Sequence, residues 1–118
     1  MIGSSRAVRV FARNGPTDLR KGFDGLYALV VHELEQDPLV GDLYLFVNRR
    51  RTSAKVLLWD GTGLCVYAKR LAKNRFSHLW TDAAEGRTLT MTHSELQLFL
   101  EGADFARKLP ISPPEIRI

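Results

Sequence analysis

Val8, Val10 and Ala12 stand at every second position, with Arg9 and Phe11 between them, and this alternation predicts a strand over Ala7 to Arg13. Asn14-Gly15-Pro16 interrupts it as a turn. Past that turn the apolar period changes. Leu19, Phe23, Leu26, Leu29, Val30 and Leu34 recur three and four apart, which is the stripe of an amphipathic helix, and Thr17 is placed to cap it. The helix should end near Gln36, because Asp37 precedes Pro38 and a residue before proline disfavours helical geometry. Asp42 to Val47, Lys55 to Trp59 and Leu64 to Lys69 then read as strands, with Asp60-Gly61-Thr62-Gly63 closing the last two into a hairpin. Val56-Leu57-Leu58-Trp59 is apolar without interruption, so this strand is expected at the centre, with Leu57 and Trp59 in the core. Phe76 to Trp80 and Thr88 to Met91 are further short strand candidates. A final helix starts near Thr92 or Ser94, turns Leu96, Phe99 and Leu100 to one side and stops at Gly102.

Together these elements predict an α+β fold. Its parts are an antiparallel meander of four to five strands, one long helix from Thr17 to Gln36 on one face and a short C-terminal helix covering an end. A length of 118 residues suits one domain, expected over residues 1–109, with a Pro-rich tail at 110–118. Hydrophobic residues at 45% and charged residues at 25% are globular proportions, which argues against disorder. No run approaches the roughly 20 apolar residues of a membrane span, and the first residues lack the apolar core of a secretion signal, so a cytoplasmic protein is expected. Cys65, the single cysteine, lies in an apolar run and reads as a small buried hydrophobe.

Charge changes the picture more than composition does. Residues 49–75 carry eight basic side chains (Arg49, Arg50, Arg51, Lys55, Lys69, Arg70, Lys73 and Arg75) against Asp60 alone, a net +7, while the rest of the chain sums to −3. In an antiparallel meander the end of the Leu64 to Lys69 strand lies beside the start of Lys55 to Trp59, so the basic clusters should converge on one end of the sheet. That convergence points to a polyanion such as DNA. A second candidate is the segment Asp18 to Gly25. Arg20 and Lys21 fall in the expected first helical turn, where the dipole favours anions, and Gly22 and Gly25 each cost a helix interior about 1 kcal/mol. Two readings stand side by side: the helix N-terminus, with Arg20 and Lys21, receives a phosphate, or Asp18 and Asp24 pair with these cations while the glycines allow close packing. Tyr44, Phe46, Trp59 and Tyr67 are either core or stacking surfaces for unpaired bases.

Catalysis finds little support. His32, His78 and His93 are isolated in sequence, so no metal site is expected; no phosphate-binding loop ends in Gly-Lys, and Ser53 and Ser77 lack a nucleophile signature. Asp18, Asp24 and Asp60 are expected to pair with basic neighbours or to cap turns. No cofactor is implied.

The strings Asp18-Leu19-Arg20-Lys21-Gly22-Phe23-Asp24-Gly25-Leu26, Leu45-Phe46-Val47-Asn48-Arg49-Arg50-Arg51, Leu57-Leu58-Trp59-Asp60-Gly61-Thr62-Gly63-Leu64, Lys69-Arg70-Leu71 and Arg75-Phe76 carry a further signal, as do Asp37-Pro38 and Gly41. In this order, from about Val8 to Asp104, the chain resembles the TnpB accessory proteins of the insertion-sequence-66 family, products of the element's second open reading frame. The family more often has methionine at Leu19 and proline at Thr81; neither departure removes a charged or aromatic group. The resemblance implies an accessory protein for transposition, without enzyme activity, acting beside a transposase that carries the catalytic carboxylates. DNA and the transposase are the partners it implies. The alternative is a module that docks on the transposase without touching DNA.

Overall fold

The computed structural model describes residues 7–81 and 86–102. Within them the chain runs β1 (Val10–Arg13), α1 (Phe23–His32), β2 (Leu43–Val47), β3 (Ser53–Trp59), β4 (Leu64–Arg70), β5 (Thr88–Met91) and α2 (His93–Glu101). The five strands form one sheet in the order β4-β3-β2-β1-β5.

The fold class is α+β, but the sheet is mixed and is a meander only through β2, β3 and β4. β1 and β2 are parallel, with Val10 beside Leu43 and Ala12 beside Leu45. The intervening chain is a crossover through α1, and only a connection of that length can bring two strands together in the same direction. β5 closes the other edge, antiparallel to β1.

Alternation along the strands sorts side chains to two faces. Phe11, Tyr44, Phe46 and Leu57 meet Leu26, Val30 and Leu34 on one face. Val10, Ala12, Leu45, Val47, Ala54 and Val56 meet Phe76, Leu96 and Phe99 on the other. The C-terminal helix therefore covers a face, opposite α1, rather than an end. Ring stacking marks both layers, Phe11 on Tyr44 and Phe76 on Phe99.

The long helix is shorter than its apolar stripe, ten residues from Phe23, and Thr17 does not cap it. Thr17 is buried, with its N–H bonded to the Val47 carbonyl, and Gly22 occupies the N-cap. The Lys55 ammonium accounts for the late start. It binds the carbonyls of Leu19 (2.7 Å) and Lys21 (3.3 Å), which a helix from Thr17 would have used as its own acceptors. The helix ends before Gln36 because Glu35 is left-handed (φ 55°) and the Gln36 N–H reaches back to the Val30 carbonyl. Gly25 has a steric reason, since a Cβ there would sit 2.8 Å from the Cβ of Lys21.

Three further expectations are corrected. Phe76 to Trp80 is extended but forms no strand; its role is to bury Phe76 against Phe99. Trp59, at the end of β3 where the hairpin turns, is half-buried while Leu57 is fully enclosed. Cys65 is also half-buried, on an edge strand. α2 keeps the expected bounds, with Thr92 as its N-cap and Gly102 at its end, and a capping box between Thr92 and Glu95 fixes its start. The Pro-rich segment 110–118 lies outside the described residues.

Candidate nucleic-acid interface

The turn between β2 and β3 is built by one side chain. The Asn48 carbonyl Oδ1 accepts from the N–H groups of Thr52 (2.9 Å) and Ser53 (3.0 Å), and its Nδ2 donates to the Thr52 hydroxyl (3.1 Å). The Arg51 N–H closes the turn on the Asn48 carbonyl, with Arg51 left-handed at φ 61°. This puts Arg49 and Arg50 at an exposed tip, where neither side chain makes a hydrogen bond or ion pair with a described residue.

Beside the tip lies the chain leading into α1. Pro16 to Arg20 and Asn48 to Arg50, with Ser53, line an open groove of about 600 Å³ at this end of the sheet. The two sequence candidates, the Arg20 segment and the arginine run, thus share one concavity. Lys21 is exposed next to it. Arg70 is paired across from Ser53 and so shares the face of that groove residue. Lys69 points to the opposite face, where its ammonium binds the Leu100 carbonyl (2.7 Å) at the end of α2. The segment bearing Lys73 and Arg75, both exposed, is fastened beside the tip by the Leu71 N–H on the Thr52 carbonyl and the Phe76 N–H on the Arg51 carbonyl. The basic clusters therefore converge on one end of the sheet while dividing between its faces.

Several of these cations are occupied. Arg51 donates to the Phe76 carbonyl (3.0 Å), Lys55 holds the Leu19–Lys21 loop, and Lys69 holds α2. Arg20 grips Asp18, with its Nη2 2.8 Å from Oδ2 and its Nε 3.0 Å from Oδ1. That guanidinium, together with the Arg20 N–H, holds the Asp18 carboxyl well below the usual carboxylate range. Asp60 caps the hairpin turn. The N–H groups of Thr62 and Gly63, each 2.9 Å from its Oδ1, lower its pKa to about 2, aided by the Cys65 thiol and the Thr62 hydroxyl. The same contact pushes the Cys65 thiol up.

Tyr44 and Phe46 are core, whereas Tyr67 is 51% exposed on edge strand β4. His93 Nε2 lies 3.0 Å from the Val8 carbonyl, and His78 packs against Trp80. Among the described residues no three His, Cys, Asp or Glu side chains are grouped to hold a metal, and no helix is long and apolar enough to cross a membrane.

Two features escaped sequence reasoning. Asp42 is fully buried and clamped by Arg9, whose Nη2 lies 3.0 Å from its Oδ2 and whose N–H lies 2.9 Å from its Oδ1. Thr17, the expected cap, is instead a groove residue, 5% exposed, with a hydroxyl that has no hydrogen-bond partner. The first had a signal in the bare charge of Asp42 at the mouth of a strand; the second had none.

The family described as "IS66 Orf2 like protein" matches residues 8–109, which span every element above. The chain belongs to this IS66 Orf2-like family. Among its relatives are two uncharacterised proteins of Sinorhizobium fredii. One, y4jC, is 34% identical over 116 residues, 97% of each chain. The other, y4hO, is 37% identical over 105 residues, 89% of each chain. No solved structure gives a significant match. IS66 Orf2-like proteins are associated with transposition and are not a known enzyme family.

Proposed function

We propose that this protein is a non-catalytic accessory factor of insertion-sequence transposition that holds DNA by its phosphate backbone, beside the transposase and in the cytoplasm. The observation that carries the reading is the placement of Arg49 and Arg50 at the tip of a rigid turn, unclaimed by any described residue, on the same groove as Arg20. Lys21, Arg70, Lys73 and Arg75 extend the positive surface around that tip. Arg51, Lys55 and Lys69 support it by fixing the turn, the loop and α2, and add to its field. Long-range attraction of this kind raises the encounter rate with a polyanion, and direct contacts release its condensed counterions.

The test is a titration of the purified chain with random duplex DNA at several salt concentrations. Binding by phosphate contact gives a straight log–log plot falling at about 0.9 per phosphate neutralised. A chain that captures the transposase but shows no salt-dependent DNA binding is instead a docking module, with its basic surface meeting an acidic patch on that partner.

A further inference from the structure

The groove between residues 16–20 and the β2–β3 turn contains one polar group whose position nothing else in the fold accounts for. Thr17 is 5% exposed, and its Oγ1 is enclosed without a hydrogen-bond partner. An enclosed hydroxyl in that state costs stability, and valine has the same shape without the cost. The residue is not needed as a helix cap, because α1 begins at Phe23 with Gly22 at its N-cap. Its backbone N–H is already satisfied by the Val47 carbonyl. The groove that Thr17 lines is also lined by Arg49 and Arg50, Asn48 and Ser53, and by the Asp18–Arg20 pair. A hydroxyl and two exposed guanidinium groups lining one groove are donors of the kind that a phosphate oxygen recruits.

We propose that this groove is the seat of a single phosphate group of a nucleic-acid strand, and that Thr17 is its specific hydrogen-bond donor. The inference rests on the DNA-binding reading and localises it. Arg49 and Arg50 supply the charge, and a step of Thr17 between staggered rotamers turns the hydroxyl toward the bound oxygen. Asp18 lines the same groove and opposes an anion, but its charge is already answered by the two-pronged contact from Arg20. The uncompensated positive charge of the groove therefore lies at the arginine tip, and the seat takes its phosphate there.

Thr17→Val in the full chain tests this, with inorganic phosphate, an oligothymidine and duplex DNA as three separate probes followed by amide resonances. The wild type is expected to shift the resonances of Thr17, Arg49 and Arg50 with all three. Thr17→Val should melt at the same or a higher temperature and bind each probe about ten-fold more weakly, the value of one hydrogen bond to a charged group. If DNA binds but Thr17→Val binds it as tightly as wild type, with the groove resonances silent, the seat is wrong and the DNA reading stands. If inorganic phosphate shifts the groove while neither DNA does, the strand is the wrong source and the site serves a small phosphate ligand. If no probe binds, both readings fall.

Discussion

Arg50 and Arg51 are chain neighbours of one residue type, and the fold gives them opposite tasks. Arg50 stands exposed at the tip of the turn, while Arg51, left-handed at φ 61°, bends back so that both its guanidinium and its carbonyl engage Phe76. The same division runs through the whole basic end. Arg49 and Arg50 face the groove, whereas Lys55 and Lys69 spend their ammonium groups on backbone carbonyls of the α1 approach and of α2. A run of positive charge is thus two populations, one that offers donors to a partner and one that ties the layers together. Net charge counts them alike, and only their partners separate them.

The largest effect should come from the exposed pair. Replacing Arg49 and Arg50 by glutamine removes two phosphate contacts at roughly 0.9 each, so the salt slope for duplex DNA should fall by about 2. The affinity gap to wild type then widens by about a hundred-fold for each ten-fold dilution of salt. Stability should move by less than about 0.5 kcal/mol in a urea titration, as for other exposed substitutions. An unchanged slope would erase the distinction between the two populations and leave the tip without a role in binding.

The tethered pair should behave in reverse. Lys55→Met keeps the aliphatic stem but abandons the Leu19 and Lys21 carbonyls, so urea unfolding should register a loss of about 1–2 kcal/mol. Lys69→Met frees one carbonyl at the end of α2 and removes a cation from a helix C-terminus, for a loss of about 1 kcal/mol. Both should leave the salt slope within one unit of wild type. A large slope change with intact stability would move these lysines into the contacting set.

Which elements could be read in advance follows from how local their causes are. The β2-β3-β4 meander was legible because its strand patterns are separated by short connections, the second of them marked by Gly61 and Gly63. The α2 boundaries were legible because Thr92 and Gly102 are neighbours of what they cap. The parallel β1–β2 pair was not, since alternation along a strand says which face a residue takes and nothing about the strand beside it. The start of α1 was misread because its competitor, Lys55, lies more than thirty residues downstream and takes the carbonyls the helix would have used. Trp59 was misread because an apolar run does not reveal where its strand leaves cover. In the candidate site the positive segment was visible, but its sorting into exposed and tethered cations depends on Asn48, the left-handed Arg51 and contacts with Phe76 and Leu100. The groove itself, with Thr17 in it, joins segments some thirty residues apart, and no local pattern in the chain marks that meeting.

The smallest effect concerns the acids, where the same division recurs. Asp18 answers a cation of the groove, whereas Asp60, the one acid within the basic segment, turns its carboxylate into its own hairpin. The Thr62 and Gly63 N–H groups stabilise the ionised form and bring its pKa to about 2 in the folded chain, below the ordinary value near 3.8 that an unfolded chain retains. A group whose folded pKa is depressed adds stability that is fully present above the unfolded value and is lost as pH falls toward the folded one. Asp60 should therefore contribute a constant increment at neutral pH, which declines between about pH 4 and pH 2 as the unfolded chain takes up the proton first. Asp60→Asn retains an acceptor oxygen for the turn but cannot titrate. Acid titrations followed by circular dichroism should then show the variant slightly less stable than wild type at pH 7, with the difference shrinking across that window. Its DNA salt slope should match wild type, because the hairpin turn lies at the opposite end of β3 from the arginine tip. A difference that stays constant down to pH 2 would mean that the carboxylate charge is not what the turn uses, and a changed slope would mean that the field of Asp60 reaches the groove.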